Sequence, residues 1–355
     1  DYIHRGLIES GEFRRLIGED GIRGVTSNPT IFEKAVSSGT DYDAQLSELA
    51  GGGATAEAAY QRIVVADIRS AADALRPVYD SSKGSDGYVS LEVEPDLAHE
   101  TEATIDRARE LYRAVGRQNV MIKIPATREG LPAVEEAVAS GVPVNVTLIF
   151  SVKRYGEVAE AYLRGVERLL SAGGDPRRVA SVASFFVSRV DTAVDDALCE
   201  QAKFREKKFP ADAARLRQLK GKAAVANAKL AYKRYGELFS SERWRMLLAR
   251  GGWPQRLLWG STGTKNPAYS DVFYVDELIG FETVNTLPPA TLDAFREHGR
   301  PRASLTENVA DAEEVVRTLI AEGISLHEIT DRLLADGVRL FAEAYDKLLA
   351  AIAAR

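Results

Sequence analysis

The chain has 355 residues, 45% of them hydrophobic and 28% charged, enough to bury a large core within the ordinary composition of a globular protein. Its formal net charge of −6 argues against general nucleic-acid binding, and no long uncharged apolar run offers a membrane span. A lone cysteine, Cys199, excludes an intramolecular disulfide and fits a reducing, cytoplasmic compartment, while four scattered histidines (His4, His99, His298, His327) form no paired metal motif. The chain opens at Asp1 without a signal-peptide pattern, and further residues are expected upstream of it.

In chain order, apolar periodicity predicts a helix over residues 3–17 and a strand over 21–28 that ends at Pro29. Helices follow over 41–50 and 55–78, separated by Gly51, Gly52 and Gly53. Residues 88–93 form the next strand, and 95–115 a helix with a charged outer face. A third strand covers 120–126 and a short helix 129–139. Residues 143–150 are a strand rich in β-branched side chains, and 151–171 a helix with Ser151 as its N-cap. Residues 179–186 are a strand, and a long helical region fills 189–250. The last two strands are 256–261 and 282–287. Helices over 289–298, 309–322 and 326–353 close the chain.

This alternation predicts an α/β fold with a parallel sheet covered by helices. Seven strands are read, with a helix before the first. An eighth strand, truncated or missing upstream of Asp1, would close a (β/α)8 TIM barrel with extra helices and an active site at the C-terminal strand ends. The whole of 1–355 is read as one domain, with 189–250 as a helical elaboration of it. An open doubly wound sheet would want a Gly-rich phosphate turn after an early strand, and no G-x-G-x-x-G occurs.

Lys123 stands out in the run Asn119-Val-Met-Ile-Lys-Ile-Pro-Ala-Thr127. In an extended strand Val120, Ile122 and Ile124 face one way and Met121, Lys123 and Pro125 the other. A strand covered on both faces would desolvate the lysine, which disfavours the ammonium and favours an amine able to attack carbonyls. An edge strand whose lysine reaches water is the plainer alternative. Other strands share the alternation: Ser90 and Glu92, Asn145 and Thr147, and Thr26 and Asn28 each interrupt an apolar set. If the apolar sets face the helices, the polar sets converge inside the barrel, where each unpaired group costs on the order of 1–3 kcal/mol. One shared hydrogen-bonded site explains them together. Singly, Glu92 could be a structural counter-ion, Asn28 before Pro29 a turn former, and Asp1 a solvated terminus.

The loop Gly260-Ser-Thr-Gly-Thr-Lys265 combines small residues, hydroxyls and a lysine, which suits a phosphate cradle but also a plain flexible loop. It lacks the spacing of a Walker motif. Arg189, just after the strand 179–186, falls on the same rim and could bind a phosphate in a bidentate manner.

Five segments carry a resemblance: Gly24-Val-Thr-Ser-Asn-Pro-Thr-Ile-Phe32, Ser90-Leu-Glu-Val-Glu94, Met121-Ile-Lys-Ile-Pro-Ala-Thr127, Asn145-Val-Thr-Leu-Ile-Phe-Ser151 and Ser181-Val-Ala-Ser-Phe-Phe-Val-Ser-Arg189. In order and spacing the chain resembles the transaldolase family, of the Schiff-base class I aldolase superfamily. The resemblance implies a pentose phosphate pathway enzyme that moves a dihydroxyacetone unit from sedoheptulose 7-phosphate or fructose 6-phosphate to an aldose phosphate. It implies Lys123 as the Schiff-base lysine, Asp1 as the general acid/base, and Glu92 with Thr147 as holders of a catalytic water. It further implies Asn28, Asn145 and Ser184 on the dihydroxyacetone hydroxyls and Phe186 lining the site. Arg189, Ser261 and Lys265 fall at phosphate-binding positions. At Lys265 the chain departs from family members that carry an arginine after a shorter Ser-Phe stretch. No metal or organic cofactor is implied, and the partners are sugar phosphates, with the protein a monomer or homodimer. A fructose 6-phosphate aldolase releasing free dihydroxyacetone, or a non-catalytic sugar-phosphate-binding barrel, are the alternatives.

Overall fold

The computed structural model describes all 355 residues, Asp1–Arg355. Seven parallel strands form one sheet in sequential order: β1 (Gly24–Thr26), β2 (Tyr88–Glu92), β3 (Val120–Pro125), β4 (Val144–Ile149), β5 (Ser181–Phe186), β6 (Arg256–Gly260) and β7 (Thr283–Asn285). Parallel neighbours need a crossover, and helices make each one. These are the seven strands read from the sequence. β1 and β7 do not pair with each other. Asp1 lies at the seam between them: its nitrogen donates to the Leu287 carbonyl at 3.0 Å, just past β7, and its Oδ1 accepts from Thr26 Oγ1 of β1 at 2.8 Å. A cavity of about 510 Å³ follows this seam, bordered by Tyr2, Val25, Tyr88 and Val284.

The alternation along the strands sorts the core into two layers. Val89, Leu91, Ile122, Ile124, Val146, Ala183 and Trp259 face the helices and belong to a continuous apolar cluster of 76 buried residues. Tyr88, Met121, Ala180, Val182 and Leu258 form a small separate cluster on the inner face. These inner apolar residues lie toward the N-terminal ends of the strands. Each of Tyr88, Met121 and Val182 is followed two residues later, on the same face, by Ser90, Lys123 or Ser184. The interior is therefore plugged at one end and polar at the other.

Two local features depart from the sequence reading, and a third gives the long helical region its detail. The helix expected over 3–17 is two helices, Arg5–Glu9 and Glu12–Glu19, broken at Gly11, whose φ of +84° suits glycine. Asn28 and Pro29 start a helix, Pro29–Ser38, that periodicity did not show: Asn28 Oδ1 accepts from Ile31 N at 3.0 Å and proline takes the first helical position. The region 189–250 resolves into four helices, Ser188–Arg205, Pro210–Gln218, Ala223–Phe239 and Glu242–Ala249. Their buried residues Leu198, Leu216, Ala228 and Trp244 are part of the same apolar cluster as the strands.

The long helix Leu326–Ala353 crosses the C-terminal end of the sheet. It packs on helix Pro29–Ser38 after β1, the 3₁₀ turn Pro95–His99 after β2, the end of β4, and helix Ser188–Arg205 after β5. No helix is long and apolar enough to cross a membrane.

Candidate active site

Lys123 sits on β3, in register with Glu92 of β2 and Asn145 of β4. β3 is a central strand and Lys123 is 4% exposed, so the edge-strand alternative does not hold. Its Nζ donates to Glu92 Oε2 at 3.0 Å and to the Ser27 carbonyl at 2.9 Å. Burial pushes the Glu92 carboxyl above the usual carboxylate range, and the Lys123 charge pulls it only part of the way back. A carboxyl tuned upward beside an amine can pass a proton to or from a group held there.

Thr147 is two residues beyond Asn145 on the same face of β4. Its Oγ1 is buried and has no hydrogen-bond partner in the protein. A buried hydroxyl so placed is a seat for a water or a ligand oxygen. Asn145 is held from both sides: its Nδ2 donates to Ser90 Oγ at 3.0 Å and its Oδ1 accepts from Ser184 Oγ at 2.6 Å. This chain of hydrogen bonds fixes the amide across β2, β4 and β5 beside Lys123. Asn28 stands at the end of β1. Its Oδ1 caps the following helix, and its Nδ2 makes no hydrogen bond to the protein. Asp1 lines the seam cavity together with Thr26, Ser90 and Met121. Met121 lies one inward position below Lys123, and Ser90 is bonded to the Asn145 that flanks it.

On the rim, Arg189 lies just past β5. Its guanidinium is 5.7 Å from the centre of the Phe186 ring, which in turn tilts against Phe150 with centroids 5.2 Å apart. Arg189 makes no ion pair or hydrogen bond with the protein, unlike most arginines of the chain. Burial lowers its pKa, opposed by the Asp336 charge on the C-terminal helix. The next rim residue, Ser261, has φ +55° and is tied to Ser188 beside Arg189: the two hydroxyl oxygens are 2.8 Å apart, and Ser188 N donates to the Ser261 carbonyl at 3.1 Å. The loop beyond Ser261 is clasped to the same helix, with Tyr269 OH donating to Asp195 at 2.5 Å and Tyr274 OH to Asp191 at 2.9 Å. Lys265 rides on this loop, exposed and unpaired, so the structure brings Arg189, Phe186 and Ser261 together but fixes no contact for the Lys265 ammonium.

The family model described as transaldolase/fructose-6-phosphate aldolase matches residues 1–352. The chain belongs to the transaldolase/fructose-6-phosphate aldolase family. It is 46% identical over 351 residues to transaldolase 2 of a Nostoc species, covering 98% of this chain and 92% of that protein. It is 49% identical over 350 residues to the transaldolase of Saccharopolyspora erythraea, with the same coverage. With transaldolase 1 of Streptomyces avermitilis the identity is 48% over 354 residues, 99% of this chain and 91% of that protein.

For this transaldolase-family chain, the sequence reading found the inward polar residues but missed two partners of Lys123. The Ser27 carbonyl is a backbone group and leaves no side-chain signal. Phe341, on the C-terminal helix, has its ring centre 6.0 Å from Lys123 Nζ. In the sequence it reads as one more apolar position at helical spacing, between Gly337 and Tyr345. No cluster of three or more His, Cys, Asp or Glu side chains is arranged to hold a metal ion.

Proposed function

We propose that the chain is a transaldolase acting on sugar phosphates in the cytoplasm, with Lys123 as the residue that forms a Schiff base. The observation that carries this reading is a buried lysine at the polar end of the barrel interior, beside a proton-accepting carboxyl and an unpartnered hydroxyl. Lys123, as the free amine, attacks the ketose carbonyl to give a carbinolamine. A water held between Glu92 and Thr147 carries the protons that let the hydroxyl leave as water, forming the iminium. The Asp1 carboxylate takes the proton of the C4 hydroxyl. The C3–C4 bond then breaks, the aldose phosphate departs, and the bonding pair passes into the iminium to leave a three-carbon enamine.

Asn28, Asn145 and Ser184 hold the hydroxyls of this intermediate until an acceptor aldose phosphate docks at Arg189, Ser261 and Lys265. The enamine carbon attacks the acceptor aldehyde, Asp1 returns its proton to the new alkoxide, and water hydrolyses the product iminium. The lysine supplies the covalent chemistry that a cofactor would otherwise bring.

Borohydride added with fructose 6-phosphate traps a three-carbon adduct on Lys123, read by peptide mass spectrometry. An unmodified Lys123 peptide rejects the Schiff base. The same family includes fructose-6-phosphate aldolases. Cleavage that requires erythrose 4-phosphate identifies transfer, and cleavage without acceptor identifies the lyase.

A further inference from the structure

The helix Leu326–Ala353 presents residues one turn apart to the mouth of the barrel. Gly337 meets Leu148 so closely that a Cβ there would stand 2.9 Å from Leu148 Cδ2. Leu148 has φ +60° and lies where the register of β4 shifts. One turn on, Phe341 is 5% exposed and its ring faces Lys123 Nζ, 6.0 Å from the ring centre. One turn further, Tyr345 meets Tyr60 edge-on, with centroids 5.3 Å apart. The helix is thus fixed on both sides of Phe341, and the ring stays over the amine.

We propose that Phe341 is a shielding residue that keeps bulk water, as distinct from the water held by Glu92 and Thr147, from the enamine formed on Lys123, and so sets the ratio of transfer to release of free dihydroxyacetone. The inference rests on the Schiff-base reading above. Two fates compete for the enamine carbon. It can attack the acceptor aldehyde, forming a C–C bond while the carbonyl π pair becomes the alkoxide. It can instead take a proton from water, leaving hydroxide and regenerating an iminium. Water then adds to that iminium carbon, the C–N bond breaks, and free dihydroxyacetone leaves with Lys123 restored as the amine. An apolar ring over the nitrogen offers no proton and fills the space a water would use.

The test uses the full chain with fructose 6-phosphate, with and without erythrose 4-phosphate, comparing free dihydroxyacetone with transferred product. Phe341→Ala is expected to raise the ratio of release to transfer by roughly fivefold or more, while borohydride still traps the adduct on Lys123. Phe341→Leu, which keeps most of the bulk, is expected to return the ratio most of the way to the wild-type value. If Phe341→Ala does not fold, Phe341→Val leaves a smaller gap and is read in the same way. A wild-type ratio in the shortened variant, with the adduct still trapped, overturns the proposal and leaves Phe341 as packing. So does a loss of both products in step with a lower Tm. Absence of a trapped adduct in the unaltered protein instead rejects the Schiff base itself.

Discussion

Glu92 Oε2 and Lys123 Nζ lie 3.0 Å apart on adjacent strands, in register, with both side chains buried. The pair is too buried to be a surface bridge. Removing one partner of such a pair commonly costs about 3–5 kcal/mol because the other charge is stranded. Here the stranded group would be Lys123, the residue proposed to form the Schiff base. That makes Glu92→Gln informative about chemistry as well as stability.

Glu92→Gln is expected to keep the fold and to slow adduct formation on Lys123 by on the order of a hundredfold, the usual loss when a positioned proton carrier is removed. The check is the rate of borohydride-trappable adduct after mixing with fructose 6-phosphate. An unchanged rate alongside a lower Tm would make Glu92 a structural counter-ion only.

Arg189 is a half-buried rim cation beside the Phe186 ring, whereas Lys265 is an exposed, unpaired ammonium on a loop. Arg189→Ala is therefore expected to raise KM for phosphorylated substrates about a hundredfold, the worth of a charge-assisted contact. Lys265→Ala is expected to raise it about tenfold or less, in line with an exposed charge. With the donor kept saturating, rates with unphosphorylated glyceraldehyde as acceptor should change little in either variant. Equal losses with both kinds of acceptor would remove Arg189 from phosphate binding.

The alternation that marked Lys123, Glu92, Asn145 and Thr147 was legible because a strand has a period of two and a polar residue on the inner face of a helix-covered sheet needs a partner. Ser151 as an N-cap was legible for the same local reason, and its hydroxyl does accept from Arg154 N at 3.1 Å. Asn28 shows the limit. The sequence read it as the end of a strand or a turn, but its side chain caps a helix whose apolar face is set by packing against the distant residues 326–353. Phe341 lies beyond local pattern altogether. Its spacing announces a buried helix face, and only the crossing of that helix over the strand ends turns the face into a roof. The tie from Asp1 to Thr26 and Leu287 is equally non-local.

Asp191 predicts a pH dependence of stability. Burial is the main cause that pushes its carboxyl from 3.8 to about 6; the hydrogen bonds from Ala224 N and Tyr274 OH pull it back, and neighbouring Asp195 adds to the rise. A raised folded-state value means that the native state holds a proton that the unfolded chain has lost. The contribution of this group is full below about pH 4 and is lost as pH rises through about 6. The stability difference between wild type and Asp191→Asn, from urea unfolding, should fall by on the order of 3 kcal/mol over that window. A difference that does not vary with pH would mean that Asp191 is ionised throughout.

Gly130 predicts how tightly the lysine strand is held. It starts the helix that follows β3, and a Cβ there would collide with the Pro125 carbonyl, two residues past Lys123, and stand 2.9 Å from Thr127 Oγ1. Neither neighbour can yield easily. Pro125 ends β3, and Thr127 Oγ1 is engaged on both sides, accepting from Gly130 N and donating to the Ala98 carbonyl. Gly130→Ala is expected to destabilise by roughly 2–3 kcal/mol through overpacking and to lower adduct formation, because the displaced segment carries the amine. Gly236 is the contrast. It lies exposed in helix Ala223–Phe239, and a Cβ added there would meet nothing within 4 Å. Gly236→Ala should stabilise by about 0.5–1 kcal/mol through helix propensity alone and leave activity unchanged. Urea midpoints and trapped-adduct yields for the two variants check the pair. Equal stability changes at both positions would mean that the end of β3 can move freely, contrary to a rigidly placed Lys123.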